Sequence, residues 1–412
     1  MTRVVITGVG AVTPIGLGKE EFWRALEEGK NGVDYITLYD TSEHSIKIAA
    51  EVKNFDPENW LDKKEANHTD RVLHLASAAA DLAIKDSGLN IDTLDKNMFG
   101  VYVGSGEGGI GTLEKNFQSL NEKGPNRVSP FLVPMMITNM SAAYVAIRCG
   151  AKGPNMAVVT ACASSLNSIG EAYNCIMRGD ATVMLAGGSE AAITPIATAG
   201  FASLKALSTR NDDPKHASRP FDLGRNGFVI GEGSGILVLE DLEHAKKRGA
   251  HIYAEIKGYG ISCDAYHITA PDPEGDGAYR AMDMAVRKAG WHVEDIDLIN
   301  AHGTSTPLND KMETKAIKHL MNNNTDKLMV HSTKSMMGHA LGAAGAIETI
   351  ASLLAIEKGI VHPTINQFEF DPECDLNTVP NKAVKADVKK VLINNFGFGG
   401  HNAVIALERY ED

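Results

Sequence analysis

The sequence predicts an α/β protein in which two similar halves follow one another. Short β-branched apolar runs alternate with stretches of helical periodicity, and the same order of elements recurs after about residue 250. The 412 residues suffice for two domains or one duplicated domain, and 43% hydrophobic with 22% charged residues is ordinary for a globular protein. We therefore expect one half at residues 1–250 and the other at 251–412, with ligand sites at the seam between them.

The first half begins with an apolar strand near residues 3–8. A helix is predicted over 72–86, because a glycine follows as a stop, and a strand over 100–106 leads into a glycine-containing turn. A strand, a turn and a helix follow at 158–179, and the last strand of this half is predicted at 235–239.

The second half repeats these elements in the same order. Residues 253–260 take the place of the first strand, 278–288 that of the helix, and 298–304 that of the strand with its glycine-containing turn. A strand, a turn and a helix follow at 329–359, and a last strand at 402–407. Because helices alternate with strands throughout, we expect helices to cover mixed sheets in a pseudo-twofold arrangement.

Charge and cysteine content narrow the function classes. The formal net charge of −12 argues against general nucleic-acid binding, which needs a basic surface. The five cysteines are scattered without a C-x-x-C pair, which disfavours a disulfide framework or a thiolate metal site and suits the reducing cytoplasm. No apolar run approaches about 18 residues and no signal-peptide pattern is present, so neither a membrane span nor secretion is expected.

Cys162 stands between a β-branched apolar run and a helical pattern in which apolar residues recur from Leu166 onward. This places the thiol near a helix N-terminus, where unpaired N–H groups and the helix dipole stabilise an anion. We expect such a site to lower the pKa of the thiol toward neutrality and to favour a nucleophilic thiolate. An unreactive core cysteine is the alternative, because free cysteine is among the most buried residue types.

Two histidines occupy comparable turns after predicted strands. His302 lies in the segment 300–307 and His339 in the segment 334–339. A histidine taken alone is more often a surface or core residue, so position rather than presence supports the prediction. Two imidazoles beside one thiol would donate hydrogen bonds to a developing enolate or oxyanion and would assist proton transfer.

Two glycine-rich segments differ in how strongly they indicate a ligand site. The segment 394–402 would let the backbone approach a ligand and move, although a glycine-rich bulge between strands would explain the same residues. The segment 104–109 fits G-x-G-x-x-G after a strand, but no acidic strand end follows about 20 residues later. A dinucleotide site, and with it a dehydrogenase, is therefore disfavoured.

Together these motifs resemble the elongating β-ketoacyl-[acyl carrier protein] synthases of the Cys-His-His type, and among them the synthase II group of bacterial type II fatty-acid synthesis. The matching segments follow the family's order over nearly the whole chain: 160–163, 217–222, 300–307, 333–336, 342–345 and 396–400. The resemblance implies a thiolase-like fold, with a duplicated five-layered α-β-α-β-α architecture, that works as a homodimer.

The resemblance also implies a reaction in two steps. Acyl carrier protein delivers an acyl group to Cys162, which matches the family's nucleophile. Malonyl-carrier then loses CO₂, and its enolate attacks the acyl-enzyme to give a β-ketoacyl-carrier. His302 and His339 match the pair that supports decarboxylation and stabilises the enolate. No metal or organic cofactor is implied.

Further positions match roles around these three residues. Lys334 matches a lysine that orders the active-site network, and Glu348 matches its acidic companion, although taken alone it would be an exposed helix carboxylate. Thr304 and Thr306 match residues that hydrogen-bond the pantetheine arm. Phe398 matches a gating aromatic residue, and its backbone N–H would form the oxyanion hole with that of the nucleophile.

The chain departs from the family pattern close to these residues. Met337 stands where the family commonly has threonine, so a hydroxyl beside His339 is lost. Glu107 stands where an apolar residue often lines the floor of the acyl pocket, and Phe396 is assigned to the same substrate site. A carboxylate against an alkyl chain is costly. Either the long-chain preference is altered, or Glu107 points outward toward the dimer interface.

The surface that would dock the acidic carrier protein is less basic than is usual in the family. Lys64, Arg127 and Lys205 match basic positions, whereas Asn67 and His68 occupy two others. Fewer positive groups predict weaker electrostatic steering that is more sensitive to salt. Taken alone, each of these charges is more often an ordinary solvated surface group.

Three alternatives are related to this prediction. A ketosynthase of a polyketide or specialised lipid pathway, with altered acyl-chain preference, would differ by pathway rather than by residues. A thiolase would need a second catalytic cysteine near the C-terminus, and the segment 396–401 has none. A non-catalytic chain-length factor would lack the nucleophile that this chain keeps at Cys162.

Overall fold

A computed structural model describes residues 2–411, along which strands and helices alternate. The strands are β1 (Val4–Thr13), β2 (Gly16–Leu17), β3 (Asp34–Tyr35), β4 (Ile48–Ala49), β5 (Phe99–Gly104), β6 (Asn155–Met156), β7 (Val183–Glu190), β8 (Gly233–Asp241), β9 (Ala254–Cys263), β10 (Leu298–Asn300), β11 (Met329–His331), β12 (Ile360–Val361), β13 (Val384–Lys385), β14 (Lys390–Gly397) and β15 (His401–Arg409).

The α-helices are α1 (Lys19–Glu27), α2 (Lys63–Asn67), α3 (Arg71–Ser87), α4 (Ile110–Lys123), α5 (Leu132–Met136), α6 (Met140–Cys149), α7 (Ser164–Met177), α8 (Pro195–Ser203), α9 (Leu242–Lys247), α10 (Asp276–Ala289), α11 (Pro307–Leu320), α12 (Lys334–Met337) and α13 (Ala344–Lys358). Short 3-10 helices lie at Pro57–Asn59, Ile91–Thr93, Lys96–Met98, Pro125–Arg127, Pro214–His216, Val293–Asp295 and Leu341–Ala343. None of the helices in residues 2–411 combines the length and the hydropathy needed to cross a bilayer.

Eleven strands form one sheet whose topology repeats about its centre. From edge to edge the order is β6-β5-β7-β8-β1-β9-β15-β14-β10-β11, with β2 added to β1. Strand β8 is antiparallel to β1 and β7, just as β15 is antiparallel to β9 and β14. The neighbours of β5 and of β10 are parallel to them. The two halves of the sheet therefore share one topology, and they meet where three residues of β1 pair with three of β9.

Helices separate and cover the two halves of this sheet. Helices α3 and α6 pack on the first half, α10 and α11 pack on the second, and α7 and α13 contact strands of both. Helix α13 is buried on every side over residues 344–356, whereas α10 buries one face. The result is the thiolase-like fold that the family resemblance implies.

Helix α3 shows how local signals set the bounds of an element. Asp70 caps its N-terminus by accepting a hydrogen bond from Val72 N at 3.0 Å, and Gly88 ends it in the left-handed conformation with a φ of 62°. The helix lies directly against β1, because a Cβ on Gly10 would come within 1.9 Å of the Ala79 carbonyl oxygen. Only glycine permits this close approach.

The strand predicted at the start of segment 158–179 is wrong. Residues 157–159 lie outside any strand, and the strand in this region is β6, which pairs with β5 through Asn155 and Met156. Pairing with β5 stops at Met156, and β-propensity alone does not keep a segment extended without a strand paired to it. The β-branched run instead leaves the sheet, and Val159 is 54% exposed.

Candidate active site

A sharp turn carries Cys162 to a position two residues before the start of α7. Ala161 adopts a left-handed conformation with a φ of 50°. The Ser164 hydroxyl donates to the Ala161 carbonyl oxygen at 2.6 Å and accepts from Thr160 N at 2.9 Å. These contacts hold the turn, so the thiol lies beside a helix N-terminus and faces a cavity while the residue is only 9% exposed.

His302 and His339 reach this thiol from the second half of the chain. His302 follows β10 after one residue, and His339 follows α12 after Gly338. His339 Nε2 lies 3.0 Å from Cys162 Sγ, and the centroids of the two imidazole rings are 5.3 Å apart. The Cys162 sulfur and one ring nitrogen from each histidine all lie within 4.8 Å of one another. A thioester oxygen or a metal ion between them could contact all three.

Buried groups hold both histidines from behind. Glu313 in α11 accepts the backbone N–H groups of His302 and Gly303, each at 2.8 Å. His339 N donates to the Val229 carbonyl oxygen at 2.7 Å. Glu313 was not among the predicted site residues. The available signal was an acidic residue in the helix that directly follows the His302 segment, on the face that the apolar pattern buries.

Burial dominates the electrostatics of the site. It raises the pKa of the Cys162 thiol to about 12, although the Lys334 cation and the N–H groups of Phe398 and Cys162 lower it. Burial also lowers the pKa of His302 and of His339 well below the usual range, and Lys334 lowers both further. The resting site is therefore a thiol beside neutral imidazoles. This differs from the expected thiolate, because desolvation of the sulfur outweighs the groups that stabilise its charge.

Lys334 and Glu348 form a buried ion pair next to these groups. Lys334 is 1% exposed and Glu348 is fully buried, and Lys334 Nζ contacts Glu348 Oε1 directly. The Asn395 side chain donates to Glu348 Oε2 at 2.7 Å. Burial raises the pKa of Glu348, and the lysine opposes that effect. The pair therefore keeps one cation near the thiol and both imidazoles without leaving it uncompensated.

The thiol opens into a cavity of about 580 Å³ that residues of both halves line. The hydroxyls of Thr304 and Thr306 lie 2.9 Å apart in its wall. The N–H groups of Phe398 and Cys162 both face the sulfur. The predicted site residues in the lining are Glu107, Cys162, Lys205, His302, Thr304, Thr306, His339, Phe396 and Phe398.

Glu107 borders this cavity while much of the residue remains exposed. Burial of its carboxyl group against the wall raises the pKa of that group. Its backbone N–H donates to Glu190 Oε1 at 3.1 Å. Glu107 therefore borders the cavity and is also open to solvent in the single chain.

The three predicted carrier-docking residues do not all lie at the cavity. Lys205 is in the wall, with a left-handed φ of 55°, whereas Lys64 in α2 and Arg127 in a 3-10 helix are exposed outside the lining. The His68 ring stacks on Phe131, with centroids 4.1 Å apart. Of the three predicted docking residues, Lys205 is the one that lies in the cavity wall.

Met337 is fully buried in the largest apolar cluster of the molecule, together with Met336. Its side chain adds packing where a threonine would add a hydroxyl. His339 Nδ1 has no hydrogen-bond partner among residues 2–411.

Two family models match the chain. The model described as "Beta-ketoacyl synthase, N-terminal domain" matches residues 1–245, and "Beta-ketoacyl synthase, C-terminal domain" matches residues 253–368. The matched regions contain Cys162 in the first and both His302 and His339 in the second.

Curated relatives are similar over almost the whole chain. A protein of Synechocystis sp. called 3-oxoacyl-[acyl-carrier-protein] synthase 2 is 52% identical over 409 residues, which cover 99% of this chain and 98% of the relative. A protein of the same name from Staphylococcus aureus (strain COL) is 53% identical over 409 residues, which cover 99% of both chains.

Solved structures are similar in fold as well. The ishigamide ketosynthase/chain length factor has a TM-score of 0.94 at 38% identity, with 100% of both chains covered. A second match comes from the solved complex of a type II polyketide synthase acyl carrier protein with its ketosynthase. The matching chain has a TM-score of 0.92 at 36% identity, again with 100% of both chains covered.

Proposed function

The chain belongs to the β-ketoacyl synthase family, and on that premise we propose that it elongates acyl chains in type II fatty-acid synthesis. The reaction is a decarboxylative Claisen condensation of acyl-carrier with malonyl-carrier, which gives β-ketoacyl-carrier, CO₂ and free carrier. The main support is the 3.0 Å contact between Cys162 Sγ and His339 Nε2 in a cavity that His302 also lines. A nucleophile next to a proton acceptor is what acyl transfer requires.

The first step transfers the acyl group to the enzyme. The neutral imidazole of His339 accepts the thiol proton, and the Cys162 sulfur attacks the carbonyl carbon of the acyl-carrier thioester. The N–H groups of Phe398 and Cys162 stabilise the oxyanion. When the tetrahedral intermediate collapses, the carrier thiolate leaves and takes the proton from His339, which becomes neutral again.

The second step forms the carbon–carbon bond. The malonyl thioester loses CO₂, and the electron pair of the broken bond forms an enolate whose oxygen accepts hydrogen bonds from His302 and from His339 in its Nε2–H tautomer. Neutral imidazoles are suitable donors, and burial together with the Lys334 cation keeps both neutral. The enolate carbon attacks the acyl-enzyme carbonyl, and Cys162 leaves as a thiolate that takes up one proton from water to restore the thiol. This chemistry needs no metal or organic cofactor.

We propose acyl carrier protein as the partner in both steps. A ketosynthase of similar structure forms a complex with an acyl carrier protein. Carrier proteins are acidic, and this chain has a net charge of −12, so docking must rely on local basic groups. Lys205 at the cavity, with Lys64 and Arg127 on the exposed surface, supports such a site. Docking that relies on such charges weakens as salt is added, because exposed charge pairs are screened.

We also propose that two copies of the chain associate through the β6 edge. The outer side of β6 is the free edge of the large sheet, and Met156 on it is exposed. Further exposed apolar side chains lie on α4 and α5, among them Phe117 and Val133. An apolar surface around an open strand edge favours a self-complementary interface. Size-exclusion chromatography with light scattering tests this, with Met156→Lys as the disrupting variant.

The proposed division of the chain into two halves and its proposed cytoplasmic location are supported by separate observations. The division near residue 250 is supported by the repeated strand order, which places Cys162 before it and His302 and His339 after it. A cytoplasmic location is supported by the five cysteines, all of which are free.

Mass spectrometry of the intact protein tests the proposed function directly. After incubation with acyl-carriers of graded length, the wild-type chain should gain the mass of one acyl group, and Cys162→Ser should gain none. Cys175→Ser is the control, because that cysteine is also buried but lies in the core, away from the cavity. An acylated Cys162→Ser protein, or a wild-type protein that is never acylated, would contradict the assignment.

A ketosynthase of a polyketide or specialised lipid pathway is the second candidate. The observation that favours it is Glu107, whose carboxyl group lies at the acyl cavity and would disfavour a long alkyl chain there. The mass-spectrometric series separates the candidates, because a fatty-acid enzyme should accept long saturated acyl groups and this alternative should reject them.

A further inference from the structure

Glu190 is a fully buried carboxylate at the end of β7 that the proposed reaction does not use. Its donors are three backbone N–H groups and one hydroxyl, and none of them is a cation. Oε2 accepts from Gly106 N at 2.7 Å and from Gly342 N at 2.9 Å. Oε1 accepts from Ser105 Oγ at 2.8 Å and from Glu107 N at 3.1 Å. The carboxylate thus connects two separate turns.

The two turns come from different halves of the chain. Residues 105–107 follow β5, and Gly342 belongs to the 3-10 helix that begins two residues after His339. A Cβ on Gly342 would lie 2.4 Å from Gly106 N and 2.7 Å from Glu190 Oε2. No side chain therefore fits between the turns, and the buried carboxylate is what spaces them.

Both turns also form part of the cavity wall. Gly106, Glu107 and Leu341 line the cavity into which Cys162 opens. The charge of Glu190 is close enough to the thiol to raise the pKa of Cys162. A shift of either turn would therefore change the shape of the cavity next to the nucleophile.

We infer that Glu190 is a positioning residue that fixes the spacing of these two turns and thereby sets which acyl groups the cavity accepts. The inference rests on the proposed function, because it concerns the acyl group that Cys162 receives. It assigns to Glu190 a role in specificity and not in bond making, since the carboxylate lies behind the wall and not in it.

The hydrogen bonds explain why a carboxylate is needed. An ionised carboxylate has about four acceptor positions, which matches the four donors. Burial alone would make such a group costly, and it raises the pKa of Glu190 to about 7, while the four donors oppose that effect. A glutamine at this position offers only one acceptor oxygen. Its NH₂ group would face either Glu107 N or the N–H groups of Gly106 and Gly342, so one turn must move.

The test uses Glu190→Gln and Glu190→Ala, with Glu240→Gln as a matched control. Glu240 is equally buried but lies in β8, away from the cavity, where Arg248 and His244 contact it. The rate at which Cys162 is acylated is measured by intact-protein mass spectrometry with hexanoyl-carrier and palmitoyl-carrier. Thermal denaturation measures the stability of each protein.

The ratio of the two acylation rates should change by about fivefold or more in both Glu190 variants, the effect expected from losing at least one hydrogen bond that holds the wall. The ratio should stay at the wild-type value in Glu240→Gln even if that protein melts earlier. A wild-type ratio in Glu190→Gln and Glu190→Ala would overturn the inference and leave the proposed function intact. An equal change in Glu240→Gln would also overturn it, because general destabilisation would then be the cause. A wild-type protein that is not acylated would instead reject the proposed function, and with it this inference.

Discussion

Replacing Lys334 with methionine tests what the buried ion pair contributes. The substitution keeps an unbranched side chain but leaves the fully buried Glu348 without its counter-charge. The Asn395 amide at 2.7 Å remains as a hydrogen-bond donor to that carboxylate. Removing one partner of a buried pair costs about 3–5 kcal/mol, so Lys334→Met should lower the free energy of unfolding by that amount.

Glu348→Gln leaves the lysine unpaired instead and should cost a similar amount. The double variant removes both charges, so its loss should fall short of the sum of the two single losses by at least about 2 kcal/mol. Urea unfolding of the four proteins at neutral pH, followed by tryptophan fluorescence and by circular dichroism, measures these differences. Additive losses, or a Lys334→Met protein as stable as the wild type, would refute the argument.

The same double variant separates stability from chemistry. A nearby cation disfavours the imidazolium form, and Lys334 lowers the pKa of both His302 and His339. Its removal should therefore raise both pKa values and move the acid limb of the pH–rate profile for malonyl decarboxylation to higher pH. An acid limb at the wild-type pH would show that burial alone keeps the imidazoles neutral.

Three further predictions concern the acyl cavity, the core and acid stability. Glu107→Ile should extend the accepted acyl chain in the graded mass-spectrometric series, and an unchanged length profile would indicate that the solvent-facing orientation prevails. Gly170→Ala should lower the free energy of unfolding in urea by about 1–3 kcal/mol, because a Cβ there would lie 2.3 Å from the Tyr259 ring. Gly200→Ala is its control, since nothing lies within 4 Å of that position, and an equal loss in both would contradict the packing argument. Burial lowers the pKa of His362 to about 4, so its contribution to stability is complete above its unfolded value near 6.5. As the pH falls from there to about 4, the free energy of unfolding should fall by about 1.4 kcal/mol per pH unit for this residue. His362→Gln should reduce the slope by that amount in urea unfolding at graded pH, and an unchanged slope would count against the assignment.

Local patterns in the chain were sufficient for most of the architecture. The glycine after α3 and the helical pattern that ends at residue 359 are short-range signals, and both helices form where they were predicted. The repeat of elements likewise anticipated a sheet whose two halves have the same strand order. The prediction failed at residues 157–159, because a β-branched run extends a strand only if neighbouring strands hold it there.

The chemistry at Cys162 shows where such patterns stop being informative. Motif order was enough to assign the thiol and the two histidines to one site and to connect the chain with a family. The protonation state of that site was mispredicted, since burial raises the pKa of the thiol to about 12. Desolvation depends on every atom that surrounds the sulfur, and no local stretch of sequence encodes it.

Contacts between segments far apart in the sequence could not be predicted from the sequence either. Glu313 supports His302 through two backbone N–H groups, and Glu190 joins turns that lie 84 and 152 residues from it in sequence. Backbone hydrogen bonds of this kind leave no motif, because almost any residue can supply the N–H group. The sequence alone thus determines which side chains react and in what order they occur. Their protonation states, their distances and the hydrogen bonds that hold them are determined only when the two halves pack together.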